Sequence, residues 1–391
     1  MTKTVLISGA SIAGPVLAFW LRTYGFRPTV VERAPSIREG GYAIDVRGAA
    51  VEVADRMGIL DELHRAVTEM RGLSAVDAAG RTIADVDMSA LGSAEGDIEV
   101  MRGTLTKLIY ERTAGTEYLF GDSITGINEQ PSGVRVSFEH HPPREFDLVV
   151  GADGLHSNVR RLAFGPEEDF RRHLGFHLSI FSTPNFLDLD RWTVLHNTPG
   201  RLAGQYRART DDGAKGILSF SSPPLEIPRE SSAQIALLDE AFAGTGWIVP
   251  ELLDAARRAP DFYFDSASQI HMPHWSRGRV VLLGDAGYCP SPLSGQGSSL
   301  AMVGAHVLAA ELHAADGDHR TAFARYETTM RDYVTRNQRI APDGAKILVP
   351  KTRSGLRVRN SLLRLLPHLP KAATFSKKVA TAANAIELPR K

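Results

Sequence analysis

Gly9-Ala10-Ser11-Ile12-Ala13-Gly14 lies between two runs that constrain each other. Before it, Thr4-Val5-Leu6-Ile7-Ser8 is short, apolar and β-branched, as a strand buried on both faces requires. After it, Pro15 to Tyr24 reads as a helix, with Pro15 near the first turn, where a missing N–H costs little, and Gly25 as its stop. Pro28 to Glu32 predicts the next strand. Strand, glycine turn, helix and strand make a βαβ unit, whose turn offers free N–H groups and the positive helix end to a pyrophosphate. Ser11 stands where the usual pattern has its middle glycine; its hydroxyl can bond a phosphate, at some loss of backbone approach. Glu32 follows at a strand end, about twenty residues on, where a carboxylate accepts from ribose hydroxyls. Lys3 and the apolar run to Leu21 also have the outline of a signal peptide. Gly9, Gly14 and Pro15 interrupt that run at dinucleotide-loop spacing, which favours strand–loop–helix.

A second motif lies far along the chain. Val280 to Gly284 reads as another buried strand, and Asp285 puts a carboxylate at its end. Ala286 and Gly287 let backbone approach a ligand there. Pro292-Leu293-Ser294-Gly295-Gln296-Gly297 then opens a helix over Ser298 to Leu312, whose free N–H groups face an anion or an electron-rich carbonyl. NAD needs only the first motif. A long, folded-back cofactor such as FAD needs both, because its ribityl chain and ring cross to another part of the sheet. A flavin's N1–C2=O edge becomes negative on reduction, so a helix N-terminus beside it favours the reduced form. The plain alternative is a capped helix with no ligand. A third stretch, Asp153-Gly154 with Ser157 and Arg160, follows the buried strand Phe146 to Gly151.

Between these motifs, Gly48 to Leu60 and Gly103 to Arg112 read as helices, and Val134 to Phe138 as a half-buried strand. Residues 72–100 read as antiparallel strand material broken by Gly80 and Gly92. Phe176 to Phe181, Trp192 to Leu195, Leu202 to Ala208 and Gly216 to Phe220 read as four strands separated by turn-forming residues. The tail from Lys351 is basic, and Leu356, Leu362, Leu363, Leu365 and Leu366 are expected to line one helix face. A solvated helix face is the expected role of that tail, with a membrane anchor as the alternative. The fold class is α/β: a Rossmann-like FAD-binding domain (1–72, 101–169, 271–340), an inserted antiparallel β-sheet substrate domain (73–100, 170–270) and a C-terminal helical segment (341–391).

Composition narrows the partners. The 391 residues carry a formal net charge of +0, so no nucleic acid is expected. One cysteine, Cys289, forms no internal disulfide and no cysteine metal cage, which fits a reducing cytoplasm. No window reaches about 18 uninterrupted apolar residues, so neither a spanning helix nor a membrane partner is expected. His156, His271 and His274 show no metal-ligand spacing with carboxylates; no metal is expected, and structural histidines are the preferred reading. The chain is taken as a cytoplasmic monomer.

Gly9 to Gly14, Glu32-Arg33, Arg102, Asp153 to Arg160 and Gly284 to Gly297 together, in this order, resemble the single-component FAD-dependent monooxygenases related to p-hydroxybenzoate hydroxylase. Gly40 to Gly48, Phe181 to Phe186, Asp261 to Asp265 and Gly287 to Leu293 look closer to the tetracycline-inactivating members. The resemblance implies that NADPH or NADH reduces FAD, and that O2 forms a flavin C4a-hydroperoxide which hydroxylates an electron-rich polycyclic phenol or enol. The expected cofactor-binding residues are Gly9, Ser11, Ala13, Gly14, Glu32, Arg33, Asp45, Arg102, Asp153, Asp285, Pro292, Gly295, Gln296 and Gly297. The resemblance puts Glu32 and Arg33 at the adenosine end, Arg102 and Asp285 along the pyrophosphate and ribityl chain, and Asp45 near the ring. Arg38 is the implied contact for NAD(P)H. No catalytic acid, base or nucleophile is singled out. Many relatives carry Ala-His where this chain has Gly287-Tyr288, and an acidic residue where it has Val303 or Gly304. Three other readings compete: an aromatic polyketide tailoring hydroxylase, a flavin dehydrogenase or reductase without oxygen transfer, and a non-enzymatic nucleotide-binding module. A flavin halogenase is disfavoured, because Trp247-Ile248-Val249-Pro250 lacks the first Trp of Trp-x-Trp-x-Ile-Pro and no lysine lies between Lys3 and Lys107.

Overall fold

The computed structural model describes residues 2–38, 40–87, 96–365 and 374–389. Gly92, Leu366 and Lys371 lie outside the described residues.

A six-stranded sheet runs in the order Ser276–Arg277, Val280–Leu282, Leu148–Gly151, Thr4–Ser8, Arg27–Glu32, Glu117–Phe120. All neighbours pair in parallel except the edge strand Ser276–Arg277. Both motif strands, Thr4–Ser8 and Val280–Leu282, therefore flank Leu148–Gly151, and their carboxyl ends open on one edge. Ligands in such sheets bind at that edge. Helix Ala13–Thr23 packs on helix Gly297–Ala314, which packs in turn on His319–Gln338. Their contact buries Leu17, Trp20 and Leu21 with Met302, Val307 and Leu308.

A second sheet has seven strands, ordered Tyr263–Ile270, Arg171–Thr183, Ala214–Ser221, Arg201–Tyr206, Trp192–Thr198, Gly72–Val76, Thr82–Asp87. The four strands expected from sequence are present, joined by Tyr263–Ile270. Helices Ser231–Phe242 and Val249–Arg258, absent from the sequence expectation, cover one face. There Phe181, Leu218 and Phe264 pack with Leu238, Phe242 and Leu252. The signal was in the sequence: Ile235, Leu238 and Phe242 recur at helical spacing and are all buried. Period-two alternation turns Ile180, Ile217, Tyr206, Lys215 and Tyr263 to the opposite face, as the cross-strand pairs Ile180 with Ile217, Ile180 with Tyr263 and Tyr206 with Lys215 require.

Two expectations need correction. Ile98–Met101, grouped by sequence with the second sheet, pairs instead with Ala43–Val46, so it delivers Arg102 beside the 40–46 loop. The tail leucines do not share one face. On helix Arg353–Leu365, Leu356 and Leu363 are half-buried, while Leu362 and Leu365 are exposed. With about 3.6 residues per turn, positions 356 and 363 fall on one side and 362 and 365 on another.

Candidate cofactor and active site

The first glycine loop is held by contacts that no other residue permits. Gly9 has φ +107, and a Cβ there would lie 2.4 Å from the Ala152 carbonyl oxygen. A Cβ on Gly14 would lie 1.9 Å from the Gly9 carbonyl oxygen. Gly9 N–H donates to the Val31 carbonyl at 2.8 Å. The loop is thereby pinned over three strands. Glu32 sits directly beneath it: Oε2 accepts from Ala10 N at 2.8 Å and Oε1 from Ala34 N at 2.9 Å. Arg33 is exposed. Arg38 is exposed too, and its Nη2 lies 3.9 Å from Glu32 Oε1.

The second motif meets the first across the sheet. A Cβ on Gly284 would come within 3.3 Å of Ala13 Cβ. Arg102 joins the glycine loop to the 40–46 loop. Its Nη2 donates to Ser11 Oγ at 2.9 Å, and its backbone N–H to the Tyr42 carbonyl at 2.9 Å. Asp285 opens the short helix Asp285–Tyr288, and its Oδ1 lies 3.8 Å from where a Gly297 Cβ would be. Burial pushes its carboxyl pKa up, against a bond from the Cys289 thiol and the charge of Arg102. Asp45 pairs with Arg47 at 2.9 Å, and its Oδ2 lies 3.1 Å from the Cβ position of Gly295, whose φ is +61. Burial raises the Asp45 carboxyl as well, and Arg47 opposes it.

Pro292–Ser294 forms a single tight turn before the long helix. Gln296 follows, fully buried, and neither Nε2 nor Oε1 of its amide has a hydrogen-bond partner. Leaving a buried amide unsatisfied costs about 1–3 kcal/mol. Its place beside Gly295, Gly297 and a helix N-terminus fits a bound group with a polar ring edge. The glycine loop, Arg102, Asp45, Asp285 and Gly295 to Gly297 are thus brought together at one edge of the six-stranded sheet.

Asp153 is held by the chain around it. One carboxylate oxygen accepts from Asn158 N at 2.9 Å and Val159 N at 3.1 Å, and the other from the Ser157 hydroxyl. Both are therefore engaged by the N-terminus of helix Asn158–Ala163. Arg160 is fully buried; it donates to the Ala286 carbonyl at 2.9 Å and pairs with Glu167 at 2.9 Å. This ties the Asp153 segment to the Asp285 segment.

Two side-chain groups join residues whose pairing the sequence did not reveal. His156 Nε2 lies 3.1 Å from Asp265 Oδ1, and its Nδ1 3.1 Å from Glu167 Oε1. The carboxylates of Asp265, first, and Glu167 push its pKa from 6.5 up to about 9. Tyr263 Oη donates to Asp265 at 3.2 Å, and its ring stands 5.8 Å from that of Tyr42. The second group is Lys215, whose Nζ donates to Ser182 Oγ at 2.8 Å and Asp261 Oδ2 at 2.9 Å. Asp261 Cβ lies 3.2 Å from the Cβ position of Gly40, so this nearly buried ion pair sits between the seven-stranded sheet and the 40–46 loop. Tyr206 Oη accepts from Ala43 N at 3.0 Å in the same seam. No motif announces either group, because the partners are distant in sequence.

The His156 network carries a stability prediction. A raised folded pKa means that its stabilisation is complete below pH 6.5 and lost as pH rises through about 9. The melting temperature is expected to fall across that window, and His156→Gln should flatten the fall. An identical alkaline slope in the variant would refute the assignment.

Among the described residues no cluster of histidine, cysteine and acidic side chains is arranged to hold a metal ion, and no helix is long and apolar enough to cross a membrane. Residues 2–181 match the family described as FAD binding domain. An uncharacterized protein of Mycobacterium tuberculosis is 49% identical over 346 residues, covering 87% of this chain and 93% of that protein. A flavin-dependent monooxygenase of an unknown prokaryotic organism is 41% identical over 339 residues, covering 86% of this chain and 88% of its own. The crystal structure of tetracycline destructase Tet(55) superposes with a TM-score of 0.85 at 37% identity, over 100% of this chain and 99% of that one. The chain belongs to the FAD-binding, flavin-dependent monooxygenases.

Proposed function

We propose that this enzyme uses NAD(P)H and O2 to insert one oxygen atom into an electron-rich polycyclic phenol or enol, with a tetracycline-like scaffold as the first candidate. The observation that carries this is the face of the seven-stranded sheet turned away from its helices. It presents Ile180, Ile217, Tyr206 and Tyr263 as an apolar and aromatic wall, with the Lys215–Asp261 pair at its edge. A flat, polyoxygenated substrate suits such a wall. The whole-chain likeness to a tetracycline destructase supports the same class.

FAD, when bound, supplies the oxygen activation that the reaction needs. The chain's own groups do the rest by position and charge. The N–H groups of Ser11 to Gly14 and Arg102 would hold the pyrophosphate, Glu32 and Arg33 the adenosine end, and Asp285 the ribityl hydroxyls. Asp45 and Pro292 border the ring, Gln296 satisfies its amide on the ring edge, and the Gly297 helix end favours negative charge there. Asp153 serves by capping Asn158–Ala163. Arg38, exposed and near Glu32, is the proposed contact for the nicotinamide cofactor. Strands Gly72–Val76 and Thr82–Asp87, with residues 170–270, form the substrate domain. Tyr42 and Tyr263 shield the reacting edge from water.

The test is a substrate panel scored by NAD(P)H oxidation together with a product heavier by one oxygen. Cells expressing the enzyme should survive tetracycline better than controls. If tetracyclines neither bind nor stimulate NAD(P)H oxidation, the aromatic polyketide hydroxylase reading takes their place. If NAD(P)H is consumed with no oxygen in the product, the enzyme is a reductase. Lys215→Met should keep FAD but weaken substrate binding about ten- to a hundredfold, as loss of a charge-assisted bond does. An unchanged substrate Kd would remove Lys215 from the site.

A further inference from the structure

Helix Arg353–Leu365 turns two adjoining ridges to solvent. Its inner side packs on strands Thr82–Asp87 and Trp192–Thr198. There Arg359 donates to Asn197 Oδ1 at 2.9 Å, and Leu356 and Leu363 are half-buried. Val358, Leu362 and Leu365, at helical spacing, are 61%, 53% and 53% exposed. Arg353 and Arg357 form an exposed basic ridge beside them, continued by Arg364, whose Nε donates to the Ile83 carbonyl at 2.8 Å. Between Asp343 and Glu387 the sequence has nine lysines and arginines and no acidic residue.

Sequence alone favoured an ordinary solvated face for this tail. The exposure of a valine and two leucines in one stripe changes that, because a contiguous apolar ridge on a charged helix marks an interaction surface. Two occupants suit an apolar ridge. A second copy of the chain, packed about a two-fold axis, would set each basic ridge against its own duplicate. An anionic lipid surface instead meets both ridges favourably, with the apolar one at the acyl boundary and the basic one at the headgroups. We propose that helix Arg353–Leu365 docks the enzyme reversibly on an anionic lipid surface. The docking lies in the interface plane and requires no spanning segment.

The test is co-sedimentation of the FAD-loaded, full-length enzyme with vesicles. Phosphatidylglycerol vesicles should pellet most of the enzyme at about 0.05 M salt and several-fold less at about 0.5 M, as screening of an electrostatic contact demands. Phosphatidylcholine vesicles should pellet little. Leu362→Ser with Leu365→Ser, and separately Arg353→Glu with Arg357→Glu, should each reduce pelleting at least several-fold. These side chains point to solvent, so FAD content and melting temperature should be unchanged in both variants. Pelleting that is no greater with phosphatidylglycerol than without vesicles overturns the proposal. So does equal binding to neutral vesicles, or binding by both variants at the parent's level. A dimer in sedimentation equilibrium that the leucine variant dissolves also overturns it, and assigns the face to a second copy.

Discussion

Gly14→Ala is expected to yield a nearly colourless protein, with FAD affinity down about a hundredfold, equivalent to about 2.8 kcal/mol. The added Cβ would lie 1.9 Å from the Gly9 carbonyl oxygen, which is backbone and cannot rotate away. The loop must open, and the N–H groups proposed to meet the pyrophosphate lose their alignment. Overpacking of this kind costs about 1–3 kcal/mol in stability as well. Gly25→Ala is the control. Gly25 has φ +82 but nothing within 4 Å of its Cβ position, so it should lose stability without losing FAD affinity. FAD titration of the apo-proteins, followed by fluorescence quenching, separates the two. Equal FAD affinity in Gly14→Ala and the parent would mean that the loop does not carry the pyrophosphate.

Asp285→Ala is expected to weaken FAD about ten- to a hundredfold, because a charge-assisted hydrogen bond contributes about 1.5–3 kcal/mol. A second readout distinguishes a ligand role from a structural one. Burial pushes the Asp285 carboxyl up, so the folded apo-protein bears a cost for holding it. The apo form of the variant should therefore melt no lower than the apo parent, while the holo form loses its FAD-dependent rise in melting temperature. A variant that melts several degrees lower without FAD, and binds FAD as the parent does, would make Asp285 a helix-opening residue only.

Much of the site proposed for FAD was legible in the chain itself. Gly9 and Gly14 are demanded by backbone contacts a few residues or one strand away, and such local sterics write themselves into sequence as glycine. Glu32 and Asp285 were visible because each ends an apolar strand. Arg102 needed the family resemblance; its reach to Ser11 depends on Ile98–Met101 pairing with Ala43–Val46, a pairing that periodicity did not predict. Asp153 was read as a cofactor-handling residue, and the fold shows its carboxylate engaged by Ser157, Asn158 and Val159. A short acidic motif does not reveal whether its oxygens are already taken.

The sequence by itself determined the βαβ start, the second strand-and-helix motif and the alternation of the inserted sheet, because each depends on residues within one or two elements of each other. Only the tertiary structure decided which side chains meet at long range. His156 meets Asp265 and Glu167, Lys215 meets Asp261 under Gly40, and Gln296 is buried with no partner. It also decided that Leu362 and Leu365 face solvent. Charge pairing and burial are properties of distance in space, and the order of residues along a chain does not encode them one stretch at a time.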